Sequence, residues 1–316
     1  MMFLRRFILA LSVLPLLLAP AASAQGDDLV ALSDEFDDAP RLPQWKRHDA
    51  VEGWPSQIEV VDVDTTVRGH LFIQPLTSVW YAGFRAPFLF KDVTGDFVVA
   101  TRLRTTGRQR EFPDVEGSLA GLMIRQARAG SAETWKPEDE TYLSFTAGLA
   151  SGPGGRGPAL ETTVTTNGRS ALEWRTGRAG WVEMRVARIG TSFVLLHRFE
   201  DGGWVVTHLE SRGVLGRFGG MRPGLIDVPA LGGRAVQVGI TAMTDWTTIR
   251  EKYDGLSAEA PFKNFNSRTV RPPEGTPDLR AVFEYVRFRR LALPDALRGR
   301  RVSDLTAPEL VSVLGD

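Results

Sequence analysis

The sequence predicts an all-β fold, a sandwich of two antiparallel sheets closed by a short C-terminal helix. Three observations carry that expectation. Short runs with a two-residue apolar period recur along most of the chain, and hardly any run has a helical period. Glycine (32) and proline (19) are frequent enough for many turns, yet too few for a low-complexity chain. The 316 residues are 43% hydrophobic, enough to fill the core of one large β domain.

The elements follow in order. Met1–Ala24 has the form of a secretory signal. Arg5 and Arg6 precede the apolar run from Phe7 to Leu18, and Ala22-Ser23-Ala24 fits a small-residue cleavage site. That run is shorter than the roughly 20 residues needed to cross a bilayer, and no cysteine follows it to carry a lipid. The mature protein is therefore expected in the periplasm or outside the cell, with no membrane anchor. Residues 25–291 should form the sandwich and 292–316 a helical tail.

Within the sandwich, Gly95-Asp96 opens the strand Phe97–Arg104. Ala120–Arg125, Tyr142–Thr146 and Leu160–Thr165 follow, and Asn167-Gly168 is a hairpin turn signal. In Trp181–Val186, Val182, Met184 and Val186 share one face, with Glu183 and Arg185 on the other. Ser192–Arg198, Trp204–His208, Val236–Thr241 and Val282–Phe288 complete the series. Trp181 and Trp204, inside periodic strands, are expected in the core or as cross-strand partners. The segments Thr146–Pro158 and Asp245–Pro277 read as long loops. In the tail, Thr306 and Glu309 have the spacing of a capping box with Pro308 between them. Leu310, Val311, Val313 and Leu314 supply an apolar face that should pack back on the sandwich.

Several chemistries are disfavoured. Lys+Arg and Asp+Glu both number 38, so no basic excess marks a nucleic-acid binder. The absence of cysteine removes thiolate zinc sites, iron–sulfur clusters, catalytic thiols and disulfides. Gly152-Pro-Gly-Gly-Arg-Gly157 matches G-x-G-x-x-G, but Pro158 and a Thr-rich strand follow where pyrophosphate binding needs a helix. His48, His70, His197 and His208 form no metal-binding motif, and there is no G-x-S-x-G elbow. No resident cofactor is expected. Asp34, Glu35 and Asp37 offer the oxygen-only ligands that would suit a structural calcium ion.

Ser33–Asp38 with Trp45 resembles the first strand of the concanavalin A-like lectins and glucanases. Phe88–Phe97, Ala120–Arg125 and Trp181–Trp204 are similar to the branch related to the domain that follows β-xylosidase catalytic modules. Phe283–Phe288 resembles the last strand, which in such sandwiches lies beside the first. The resemblance covers roughly Ser33 to Leu291. It implies a jelly roll of two curved antiparallel sheets with a concave face, in a branch associated with carbohydrate.

Glucanases of this kind carry Glu-x-Asp-x-Glu on one strand, with three carboxylates on one face. This sequence lacks it. Glu59-Val-Val-Asp62-Val-Asp64 has the wrong spacing, and Asp114-Val-Glu116 is a two-acid fragment before Gly117. The resemblance thus implies a carbohydrate-binding, lectin-like protein without evident catalytic residues. A glycan hydrolase and an adaptor for another envelope protein are the alternatives. Sugars stack their C–H faces on aromatic rings, so Trp80, Trp135 and Trp246, near strand ends or in loops, are candidate platforms. Arg125 and Tyr142 alternate with the apolar Leu122/Ile124 and Leu143/Phe145 positions. Both are expected on an open sheet face, where Arg125 would add little to stability and could grip a neutral or uronic saccharide.

Overall fold

Alternation of side chains across each strand is satisfied by burying one face of two sheets against each other. The computed structural model describes residues 27–152, 155–207, 225–253, 258–297 and 299–315. The signal segment Met1–Ala24, the tip of the glycine-rich motif at Pro153-Gly154, and His208 lie outside the described residues.

The first sheet has seven strands. In spatial order they are β1 (Lys46–Arg47), β4 (Phe88–Val93), β14 (Val236–Met243), β6 (Ser118–Gln126), β7 (Tyr142–Gly152), β8 (Gly155–Thr166) and β9 (Arg169–Thr176). The second has eight. It runs β12 (Val205–Val206), β11 (Ser192–Phe199), β10 (Trp181–Ile189), β5 (Phe97–Thr106), β15 (Arg280–Arg289), β3 (Leu71–Pro75) and β2 (Ile58–Val63), with β13 (Leu225–Asp227) also paired to β11. Every pairing among the described residues is antiparallel. The inter-sheet core joins Leu122, Ile124, Phe145 and Ile240 of the first sheet to Val99, Met184, Leu195 and Phe283 of the second. Fully burying a side chain of this size contributes about 1.5–3 kcal/mol. The opening segment pairs with the last strand through the bridge of Asp34 to Val286.

Two expected loops are ordered differently. Residues 147–152 and 155–158 continue β7 and β8 as one long hairpin, with Leu149 opposite Pro158 and Ala150 opposite Gly157. The segment Asp245–Pro277 contains two helices, α2 (Trp246–Tyr253) and α3 (Glu259–Asn266). A short helix α1 (His48–Glu52) precedes β2 and ends at Gly53, whose φ of +78° makes it a left-handed C-terminal stop. At the hairpin between β8 and β9, Asn167 and Gly168 have φ of 49° and 73°, as the tight two-residue turn requires.

The tail forms α4 (Ala307–Leu314). Thr306 Oγ1 accepts from the Glu309 amide, and the Glu309 carboxylate accepts from the Thr306 amide. Leu310 and Leu314 pack on Val98, Ala187, Val194, Leu196 and Val206, an apolar patch on the outer face of the eight-stranded sheet. That outer face also carries Trp181 and Trp204, half-buried rather than in the inter-sheet core. Arg102 lies 4.5 Å from the Trp181 ring centre, and Arg185 lies 4.3 Å from that of Trp204.

Candidate functional site

The face of the seven-stranded sheet turned away from the core carries the residues singled out from the sequence. Arg125 and Tyr142 are opposed across β6 and β7 and do point away from the inter-sheet core. The face is nevertheless not open there. Arg125 is 1% exposed and Tyr142 is fully buried beneath segments 76–87 and 127–141 and helix α3, and Trp80 and Trp135, which belong to those two segments, are buried as well. This corrects the expected open groove, and with it the expectation that Arg125 adds little to stability.

The cover is fastened by a buried box of ions. Arg125 Nη1 is 2.7 Å from Glu52 Oε1, and its Nε is 3.0 Å from Glu140 Oε2. Arg85 closes the ring at 2.6 Å from Glu52 and 2.5 Å from Glu140. Indole N–H groups add two bonds, Trp135 to Glu140 at 2.7 Å and Trp54 to Glu52 at 3.1 Å. Gln237 on β14 accepts from Arg125 at 2.9 Å. Burial alone would raise the Glu52 carboxyl, but Arg125 and Arg85 bring it down to about 2. Glu140, under the same opposing influences, is held far below the usual carboxylate range. His48 is pushed down to about 3 by burial and by Arg85, and its ring lies 5.1 Å from that of Trp80. Charges so placed hold loops to the sheet and are closed to a ligand.

Beyond Trp80 the cover ends, and a cleft of about 220 Å³ remains on the same face. Its walls include Tyr81, Trp174 and Trp246, with Glu116 and Glu161 among its polar groups. Of the five residues singled out from the sequence, Trp80 and Trp246 line this cleft, whereas Arg125, Trp135 and Tyr142 do not.

Local structure sets each wall. Asp245, at a φ of +71°, accepts from Thr77 Oγ1 and the Thr276 amide, both at 2.6 Å, and from the Thr248 amide in the first turn of α2. Trp246 therefore starts the helix in a fixed place, its amide bonded to the Glu116 carbonyl at 2.9 Å. Gly117 has a φ of +76°, and a Cβ there would come within 2.9 Å of the Trp246 Cβ, so only glycine admits this approach. The Tyr81 and Trp246 rings meet edge to face at 5.4 Å. The turn carrying Tyr81 is tied to β9, since the Ala82 amide donates to Ser170 Oγ at 2.6 Å.

On the opposite wall Glu161 of β8 faces Trp174 of β9 in register. The Trp174 indole N–H donates to its carboxylate at 2.9 Å, and Thr163 Oγ1 at 3.2 Å. Glu161 is 7% exposed. Burial pushes its carboxyl up to about 7; the bonds from Thr163 and Trp174 pull the other way, and the charge of Glu116 adds to the rise. Burial and Glu161 in turn raise the Tyr81 phenol. Near neutrality the cleft thus holds a carboxyl poised between its two states, in a space lined by four aromatic rings.

The remaining candidates are committed elsewhere. Asp34 accepts from the Phe36 amide and Trp45 Nε1, and Glu35 pairs with Arg287. Glu59 accepts from Arg108, and Asp62 from Thr66. His197 Nδ1 lies 3.0 Å from Thr207 Oγ1.

The architecture is a sandwich of two antiparallel sheets. No protein-family model matches the chain, and no curated protein matches it. Solved structures do. A functionally unknown protein from Saccharomyces cerevisiae aligns at 16% identity and a TM-score of 0.46, over 80% of this chain and 99% of that one. A xylan β-1,4-xylosidase from Bacillus halodurans C-125 aligns at 14% identity and 0.47, over 82% and 39%. The metal-free lectin I-B4 of Griffonia simplicifolia aligns at 11% and 0.39, over 71% and 89%. The alignment thus takes in about two-fifths of the xylosidase's length. These are likenesses of fold, and the chemistry of the cleft rests on its own residues.

Proposed function

We propose that this chain is an exported saccharide-binding protein whose site is the cleft between Tyr81, Trp174 and Trp246. One observation carries the reading: a cleft on a sheet face combines aromatic rings with hydrogen-bonding carboxyl groups. Rings stack on the C–H faces of a sugar, and carboxyl oxygens accept from its hydroxyls. The volume suits one ring of a glycan rather than a drug-sized ligand. The export element rests on the Met1–Ala24 segment alone.

Trp174→Ala is expected to weaken oligosaccharide binding about tenfold, since a stacked ring contributes about 1 kcal/mol and fixes the Glu161 carboxyl as well. Calorimetric titration with soluble oligosaccharides checks this. Trp181→Ala, on the other sheet, serves as the control and should bind as the parent does. Equal affinity in both variants would remove the cleft as the site.

A hydrolytic reading is favoured by the raised Glu161 carboxyl alone. Glu161 would protonate the leaving oxygen of a glycosidic bond while water adds to the anomeric carbon and yields its proton to Glu116. Release of reducing ends near pH 6, lost in Glu116→Gln, would place this reading first.

A further inference from the structure

Resting on the saccharide reading, we propose that the cleft selects an amino sugar with a free ammonium group over neutral and uronic sugars. The argument is one of charge complementarity. Two carboxyl groups, Glu116 and Glu161, and four electron-rich rings, Trp80, Tyr81, Trp174 and Trp246, line the space, and no Lys, Arg or His is among its described lining residues. Aromatic faces attract cations, and carboxylates accept from ammonium hydrogens, so one ligand group satisfies both. A uronate would meet two acids with no cation to answer it, and a neutral sugar would leave Glu161 protonated, with no charge to pair.

Glu161 supplies the discrimination because the groups that act on its carboxyl carry no positive charge. Thr163 and Trp174 bond to it from its own strand and from β9. The charge of Glu116, on the loop before β6, acts on it, and Glu161 acts in turn on Tyr81 of the covering segment. None of these four brings a positive charge. The ligand's ammonium group takes that place and draws the proton off Glu161. Association with the amine therefore releases a proton from the protein over the range where Glu161 is still protonated, and association with the hydroxyl analogue does not.

The test compares the β-1,4-linked glucosamine tetramer with cellotetraose at pH 6, by calorimetry in two buffers of different ionisation heat. The expected result is at least tenfold tighter binding of the amine, with release of a substantial fraction of a proton seen for the amine only. In Glu161→Gln the preference for the amine should collapse and the proton release vanish. Equal affinity for the two tetramers overturns the inference and leaves the saccharide reading standing. A preference that persists unchanged in Glu161→Gln also overturns it. Binding of neither tetramer overturns both.

Discussion

Arg125→Ala is expected to destabilise the fold by about 3–5 kcal/mol, the usual result of removing one partner from a buried ion pair. The substitution leaves Glu52 Oε1, Glu140 Oε2 and Gln237 Oε1 without the donor they now share, and all three residues are at least nine-tenths buried. Arg85 remains, but one guanidinium then faces two buried carboxylates. Arg125→Lys should fall between parent and alanine variant, since an ammonium restores the charge but not the fork. Urea unfolding at pH 7 measures both. A loss below 1 kcal/mol for the alanine variant would show that the box does not close as described. Acid gives an independent view. Glu52 and Glu140 titrate lower in the folded chain than in the unfolded one, so their stabilisation is present above pH 4.5 and lost toward pH 2. His48, neutral when folded down to about pH 3, adds a loss as pH falls below 6.5.

Glu161→Gln should have the opposite signature. The folded carboxyl titrates near 7 and the unfolded one near 4.5, so the folded state binds the extra proton between those values. Stability from this group therefore falls as pH rises from 4.5 through 7. The gap corresponds to about 3 kcal/mol. Parent and variant should be nearly equal at pH 4.5, with the variant the more stable by up to about 3 kcal/mol at pH 8. Its amide oxygen can still accept from Trp174. Urea midpoints at the two pH values decide the matter, and a difference independent of pH would refute the raised carboxyl.

Both groups bear on what the sequence discloses. The period-two strands are legible because each element buries one face, and the hydrophobic pattern records that directly. The direction of Arg125 and Tyr142 is legible for the same reason. Their burial is not, because the cover comes from distant segments with weak periodicity. Trp246–Tyr253 is polar almost throughout, and Glu259–Asn266 offers only Phe262 and Phe265 as its buried apolar side. Nor does spacing reveal that Glu52, Arg85, Arg125 and Glu140 meet, since they come from four separate stretches of chain. The Glu161–Trp174 pair, by contrast, could have been found. Counting back from the Asn167-Gly168 turn sets Thr166 against Arg169 and hence Glu161 against Trp174. The alternation Leu160, Thr162, Val164 leaves Glu161 on the other face.

The docking of α4 has a consequence for the order of events in biosynthesis. The patch of Val98, Val194, Leu196 and Val206 is complete once β5, β11 and β12 have been made, yet Leu310 and Leu314 belong to a much later part of the chain. On a ribosome, which delivers the amino end first, the sticky surface exists well before its lid. Until residues 307–314 emerge, the nascent sheet offers neighbouring molecules an oily surface that the finished protein keeps covered.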